Sequence, residues 1–328
     1  MRILFMGTPD IAAESLRAVC AAGHEVCAVF TREDKPVGRR QTLTAPPAKQ
    51  EALLRGIPVY QPKTLRDAAV QAQIAALAPE LIVVVAYGRI LPPAVLSVPR
   101  YGCINLHVSL LPKYRGAAPV QWAVLNGDAE TGVTIMQLDE GLDTGDILMV
   151  ERLAIGPQET SGELFARVSS IGAALLTRCI GQIAAGGLTP IPQDHTKATL
   201  APPLTKEMAG FAFDQSAQAL HNLIRGMNPW PAAWFCCEGK KVKVLKSRLA
   251  AGQGAQTPPG GGDAAGGTAV TPGTVLAVKP LTIACKQGAL ELLELVPEGK
   301  KPMEGSAWAA GRRLKAGDIL AACAEGTQ

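Results

Sequence analysis

The chain has 328 residues, is 48% hydrophobic and carries 32 Lys+Arg against 28 Asp+Glu, a net charge of +4. Such a composition excludes a disordered polypeptide, and the length points to two domains. No apolar run reaches the roughly 18 residues of a membrane span, and "MRILFMGTPD" lacks the longer apolar segment and small-residue cleavage site of a secretory leader, so a cytoplasmic protein without membrane attachment is expected.

In chain order, "RILFMG" reads as a buried strand and "PDIAAESLRAVCAAG" as a helix ending at Gly23. "EVCAVFT" and the short "IPVYQP" read as strands, "AAVQAQIAAL" as a helix, and "ELIVVVAYG" as a strand buried on both faces. "GCINLHVS", "AAPVQWAVLNG" and "GVTIMQLD" continue as strand, helix, strand. This alternation predicts an α/β fold, a doubly wound and mostly parallel Rossmann-like sheet with ligands past its carboxyl edge. Helical sequence resumes at "SGELFARVSSIGAALLTRCIGQIAAG".

Residues 190–207 carry four prolines and read as a linker. The expected division is 1–189 for the catalytic domain, 190–209 for the linker and 210–328 for a C-terminal domain. In that last part "SAQALHNLIRGM" is helical, and "AAWFCCEGKKVKVLKSRLA", "PGTVLAV" and "LTIACKQGALELLELVP" predict short strands of a small OB-like β-barrel. The Gly-rich stretch between about 250 and 272 reads as a mobile loop. Residues 1–205 hold 18 basic and 18 acidic side chains and residues 206–328 hold 14 and 10, so the whole surplus is C-terminal, a mild pointer to a polyanionic partner. The eight cysteines form no C-x-x-C pair and are expected as buried thiols rather than as disulfides or a zinc site.

A dinucleotide loop is not expected. The first strand–helix turn, "MGTPDIAAES", has one glycine, and the only G-x-G-x-x-A, Gly260 to Ala265, lies in the Gly-rich stretch. "CINLHVSLLPKYRGAAP" is more informative. Asn105 and His107 are two apart on an apolar strand and therefore share a face. If "GVTIMQLD" is a neighbouring strand, the Gly-flanked Asp143 beyond it reaches His107. Such a trio suits acyl transfer to an amine: an Asn amide and an imidazolium stabilise an oxyanion, and the carboxylate keeps the imidazole charged. No Ser or Cys is clearly activated, so direct transfer without a covalent intermediate is expected. Lys113 and Arg115 read by default as solvated loop charges. "TREDKPVGRRQTLTAPPAK" reads as an irregular basic surface loop or a phosphate-contacting arm. "KKVKVLKSR" places Lys241 and Lys243 on one face, with Lys240, Lys246 and Arg248 on the other if the strand is regular; it is a basic patch of a nucleic-acid-binding barrel or a solvated edge.

"FMGTPDIAAESL", "VVVAYGRILP", "INLHVSLLPKYRGAAPVQWAVLNGD", "TGVTIMQLDEGLDTGDIL" and "NPWPAAW" together resemble the methionyl-tRNA formyltransferases over nearly the whole chain. The N-x-H-x-S-L-L-P and D-x-G-x-D-T-G pair is similar to the wider group of enzymes that use 10-formyltetrahydrofolate. The resemblance implies formyl transfer to methionyl initiator tRNA by a monomer without a metal, with Asn105, His107 and Asp143 as catalytic residues. It implies folate contacts from Ser109, Leu110, Leu111 and Pro112, and a pterin pocket lined by Tyr87, Gly88 and Leu91. It places Arg39, with Arg40 beside it, in a basic loop entering the acceptor stem, and makes the C-terminal domain, with Lys241, Lys243 and Lys246 and with Lys206 of the linker, the part that grips tRNA. Arg40, Pro203 and Phe213 depart from the family's usual Gly, Lys and Trp. Two other readings stand beside this one: formylation of a small amine such as a sugar nucleotide, and a non-catalytic tRNA-binding protein.

Overall fold

The structure is a computed structural model describing residues 1–38, 41–250 and 270–320. Arg39, Arg40 and most of the Gly-rich stretch, with its G-x-G-x-x-A, lie outside the described residues. The chain divides into two compact units, one of residues 1–120, 130–154 and 165–202, the other of residues 121–129, 155–164 and 203–328.

The first unit is built on a seven-stranded sheet. Its elements are β1 (Arg2–Gly7), α1 (Asp10–Ala21), β2 (Glu25–Phe30), β3 (Lys35–Val37), β4 (Thr42–Thr44), α2 (Pro47–Leu54), β5 (Val59–Tyr60), α3 (Ala68–Ala76), β6 (Leu81–Val85), α4 (Pro93–Leu96), β7 (Cys103–His107) and β8 (Arg115–Gly116). After α5 (Pro119–Leu125), most of which falls in the second unit, come β9 (Glu130–Gln137), β10 (Ile147–Ala154), α6 (Ser161–Ala185), whose first four residues fall in the second unit, and β11 (Leu200–Ala201). The sheet order is β10-β9-β7-β6-β1-β2-β5. The strands from β7 to β5 are parallel, as the α/β alternation predicts, and β9 and β10 join them antiparallel. Ile3 to Met6 and Leu81 to Val83 are fully buried, which is why these strands read as unbroken apolar runs. Gly7 serves packing: a Cβ there would lie 2.8 Å from the Val85 carbonyl oxygen.

The basic segment is more regular than its composition suggests. Lys35–Val37 pairs antiparallel with Thr42–Thr44, because Gly38 adopts φ +73° and the following β-branched residues favour a strand. α6 is long and apolar enough to cross a membrane by length and composition alone. Val168, Leu175, Leu176, Cys179 and Ile180 are nevertheless buried at helical spacing, while Arg167 and Arg178 are exposed, the pattern of an amphipathic core helix. The proline-rich segment after α6 is only partly a linker. Ile191 bridges Ile147, and Leu200–Ala201 forms β11, parallel to β8.

The second unit contains α7 (Ala217–Gly226), β12 (Trp234–Cys237), β13 (Lys240–Leu249), β14 (Val275–Val278), β15 (Leu281–Ala284), β16 (Ala289–Pro297), β17 (Met303–Glu304) and α8 (Gly305–Gly311). The sheet runs β12-β13-β16-β15-β14 with β17 on β16, and is antiparallel throughout. Among the described residues its edge strands do not pair, so the expected barrel is an open half-barrel. Phe211, Phe213, Phe235 and Trp308 pack in its core in tilted and edge-to-face pairs with ring centroids 5.4–5.9 Å apart. Phe213 is thus a packing residue. Among the described residues six cysteines are free thiols, four of them buried as expected and Cys20 and Cys27 half-buried, whereas Cys236 is disulfide-bonded, a departure from the expected thiols.

Candidate active site

β7 ends at His107 on the carboxyl edge of the parallel strands. Its period of two buries Ile104 and Leu106 on one side and leaves Asn105 half-buried on the other, beside His107, which is 5% exposed. The neighbour relation expected for β9 exists, with the opposite sense: Gln137 stands opposite Ile104 and Thr134 opposite His107. The loop after β9 therefore has to turn back along β7, and it brings Asp143 to His107 with a backbone φ of +53°.

A backbone carbonyl fixes the imidazole. His107 Nε2 lies 2.9 Å from the Tyr114 oxygen, which only accepts, so the proton sits on Nε2. Nδ1 then faces Asp143 Oδ2 at 3.7 Å, too long for a direct hydrogen bond. Asp143 Oδ2 accepts from Gly116 N at 2.8 Å. Gly116 itself admits no side chain, because a Cβ would sit 2.9 Å from the Ala201 oxygen.

Burial is the largest influence on His107 and pushes its pKa below the ordinary 6.5. Asp143 and the Tyr114 carbonyl oppose it, and Arg115 adds to it. The expectation of a permanently charged imidazolium is therefore corrected: desolvation outweighs the carboxylate, and His107 is neutral at pH 7. A neutral imidazole with Nδ1 unprotonated accepts a proton, and Asp143 stands ready to stabilise the charge that results.

The segment after β7 is held by internal bonds. Ser109 is fully buried, its Oγ donates to the Lys113 oxygen at 2.7 Å, and its own carbonyl accepts from Thr134 Oγ1 at 2.7 Å. It shapes the turn, and its hydroxyl does not face solvent. Leu110 and Pro112 are half-buried and Leu111 is buried. Tyr87 (1% exposed) and Leu91 face the core with Met6, Phe30 and Val84, and burial pushes the Tyr87 hydroxyl up to about 12. The exposed positions at this strand end are Ala86, Gly88 and Ile90, the last 76% exposed. Ile90 and Leu142, which precedes Asp143, are exposed apolar side chains of the kind that suit an aromatic bicycle.

Arg115 was expected as a solvated charge. It is buried, donating to Gln193 Oε1 from Nε (3.2 Å) and from its second terminal nitrogen (2.6 Å), and from the latter also to His195 Nδ1 at 3.0 Å. Lys113 is exposed. Gln193, Tyr114 and Thr134 are the residues that sequence reasoning missed. Among the described residues no cluster of three or more His, Cys, Asp or Glu is placed to hold a metal.

In the second unit, β13 is not regular. Register shifts between Val244 and Ser247 change the alternation, so Lys241, Lys243, Lys246 and Arg248 are all exposed on one side while Val242, Val244 and Ser247 are buried. This corrects the expected split over two faces. Arg248 pairs with Glu291, and Lys246 lies 4.0 Å from Glu294. Lys241 covers the Trp234 ring at 4.2 Å, and both Lys206 and Lys241 act on Glu207.

Residues 1–180 match the family "Formyl transferase" and residues 203–313 the family "Formyl transferase, C-terminal domain". The methionyl-tRNA formyltransferase of Lachnospira eligens is 45% identical over 323 residues, 98% of this chain and 99% of its own length. The chain belongs to the methionyl-tRNA formyltransferase family. That of Alkaliphilus oremlandii is 43% identical, with 98% of this chain and 99% of that one covered. Solved structures more distant from this formyltransferase share its fold. WlaRD, a sugar 3N-formyl transferase, superposes with a TM-score of 0.63 at 18% identity, covering 92% of this chain and 99% of its own. HypX from Aquifex aeolicus in complex with tetrahydrofolic acid gives 0.59 at 16% identity, covering 94% of this chain and 47% of its own.

Proposed function

We infer that the chain moves the formyl group of 10-formyltetrahydrofolate to the α-amine of methionyl initiator tRNA, releasing tetrahydrofolate and formylmethionyl-tRNA. Full-length identity of 45% to a methionyl-tRNA formyltransferase carries this reading. The site geometry supplies a mechanism. The amine nitrogen attacks the formyl carbon, and the carbonyl electrons move to oxygen. The Asn105 amide donates to that oxyanion. His107 Nδ1 accepts the proton shed by the nitrogen, and the imidazolium so formed is stabilised by Asp143. Collapse breaks the bond to N10 of the folate, which leaves with the proton. The exposed apolar residues Ile90 and Leu142, with the 109–112 segment, are suited to hold the pterin. Arg39 and Arg40, with Lys206, Lys241, Lys243 and Lys246, hold the tRNA backbone. The chain acts as a cytoplasmic monomer.

The test is transfer of labelled formyl to methionyl initiator tRNA, with free methionine and other aminoacyl-tRNAs as controls. Formylation confined to the charged initiator supports the reading, and formylation of a small amine alone overturns it. Lys241→Ala combined with Lys243→Ala is expected to raise KM for the tRNA with kcat unchanged. Because each lost phosphate contact releases fewer counterions, the slope of log affinity against log salt should flatten by about one unit per contact. An unchanged slope in filter-binding titrations removes these lysines from the tRNA interface.

A further inference from the structure

We propose that Gln193 is a positioning residue of the reaction: it clamps the Asp143 turn so that the carboxylate stays beside His107 Nδ1. The inference rests on the catalytic reading of Asp143 and His107 given above.

Asp143 occupies the left-handed region at φ +53°, uncommon for a residue with a Cβ though better tolerated by Asp than by most, so its turn benefits from partners that hold it. Gln193 Nε2 supplies that hold. It donates to the Asp143 carbonyl at 2.9 Å and to the Gly145 carbonyl at 2.7 Å, bracketing the turn. Its Oε1 is occupied by Arg115. A guanidinium only donates and carbonyls only accept, so this is the one orientation of the amide that satisfies every partner. Gln193 is 6% exposed and Gly145 is buried, so losing the amide leaves the Gly145 carbonyl without this buried donor.

The arrangement closes on itself. Arg115 orients the amide of Gln193, which holds the main chain of Asp143, and the next residue, Gly116, donates its N–H to the Asp143 carboxylate. One dipeptide therefore grips Asp143 at both ends, directly and through Gln193. Releasing Gln193 frees two carbonyls and lets the turn relax. The carboxylate then leaves Nδ1 at the moment when the imidazole becomes charged. Gln193 touches neither the imidazole nor the oxyanion site, so its effect passes through Asp143.

The test compares Gln193→Met, which removes every bond at similar volume, with Gln193→Glu, which keeps the Arg115 partner and the shape but lacks both donors. Both are expected to lower kcat on the order of 10- to 100-fold, as loss of an orienting partner does, with KM for folate and for tRNA within about twofold of wild type. Asp143→Asn alone should be slow, and adding Gln193→Met to it should cost nothing more, the signature of two residues acting through one interaction. If Gln193→Met fails to fold, Gln193→Glu carries the comparison. If Asp143→Asn is slow while either foldable Gln193 variant turns over like wild type, or if the losses in the double variant simply add, the positioning role is overturned. Wild-type turnover by Asp143→Asn removes the catalytic reading itself.

Discussion

Replacing His107 with glutamine is expected to lower kcat by about 10²- to 10⁴-fold, the span associated with a positioned proton acceptor. Glutamine is the informative substitution. Its amide can still donate to the Tyr114 carbonyl, as His107 Nε2 does at 2.9 Å, so the turn after β7 keeps its partner. What the amide cannot do is take a proton where Nδ1 faces Asp143. His107→Ala should be at least as slow, since it also removes the hydrogen bond that His107 Nε2 gives the Tyr114 carbonyl. The direction of the pKa shift gives a second readout. With burial holding His107 below 6.5, the base is present in its active, neutral form throughout the neutral range and is lost only when acid protonates it. Single-turnover formylation, followed with both variants, checks the expectation. Near-normal rates with His107→Gln would show that His107 accepts no proton in the reaction.

Asn105→Ala is expected to lower kcat by about 10²- to 10³-fold, near 2.7–4 kcal/mol of transition-state stabilisation, which is the scale of one oxyanion donor. Asn105 is half-buried on the polar face of β7, whose opposite face is locked by Ile104 and Leu106, so truncation leaves the strand in place. The loss should fall on kcat and leave KM little changed, because the formyl oxygen carries full negative charge only in the transition state. A rise in KM at constant kcat would instead make Asn105 a ground-state contact.

Much of the site was legible because it follows from strand geometry. Two polar residues at a spacing of two on an apolar strand share a face in any sheet, and this placed Asn105 beside His107 without knowledge of the fold. The charge of His107 was not legible. It depends on how completely the folded chain removes the ring from water, and that outweighs the carboxylate that sequence reasoning weighed alone. At the end of β6 strand period made no prediction; the resemblance alone named Tyr87, Gly88 and Leu91, of which only Gly88 is exposed. Tyr87 and Leu91 turn into the core while Ala86, Gly88 and Ile90 face out, since the chain leaves strand geometry at Ala86, φ +46°. On β13 a register shift moves Lys246 and Arg248 to the side of Lys241 and Lys243, a bulge that no side-chain pattern announces.

Gln193 was illegible for a different reason. Its partners at positions 143 and 145 are main-chain carbonyls, and it sits among prolines that read as a linker. The Ile191 bridge to Ile147 and the pairing of β11 with β8 return that segment to the first unit. At the level of domains the α/β alternation and the run of short C-terminal strands were readable. The antiparallel sense of β9 and the open edge of the second sheet arise from pairings distant in sequence.

The reaction depends on a neutral imidazole poised beside a carboxylate, and nitrogen NMR of the histidines tests this directly. The chain has four histidines, and the signal lost in His107→Gln identifies the relevant one. In the wild-type protein that ring should show the Nε2–H tautomer, remain neutral at pH 7 and titrate below 6.5; in Asp143→Asn it should titrate lower still, because the carboxylate that favours the charged form is gone. A His107 ring that is already protonated at pH 7, or that carries its proton on Nδ1, would contradict the mechanism.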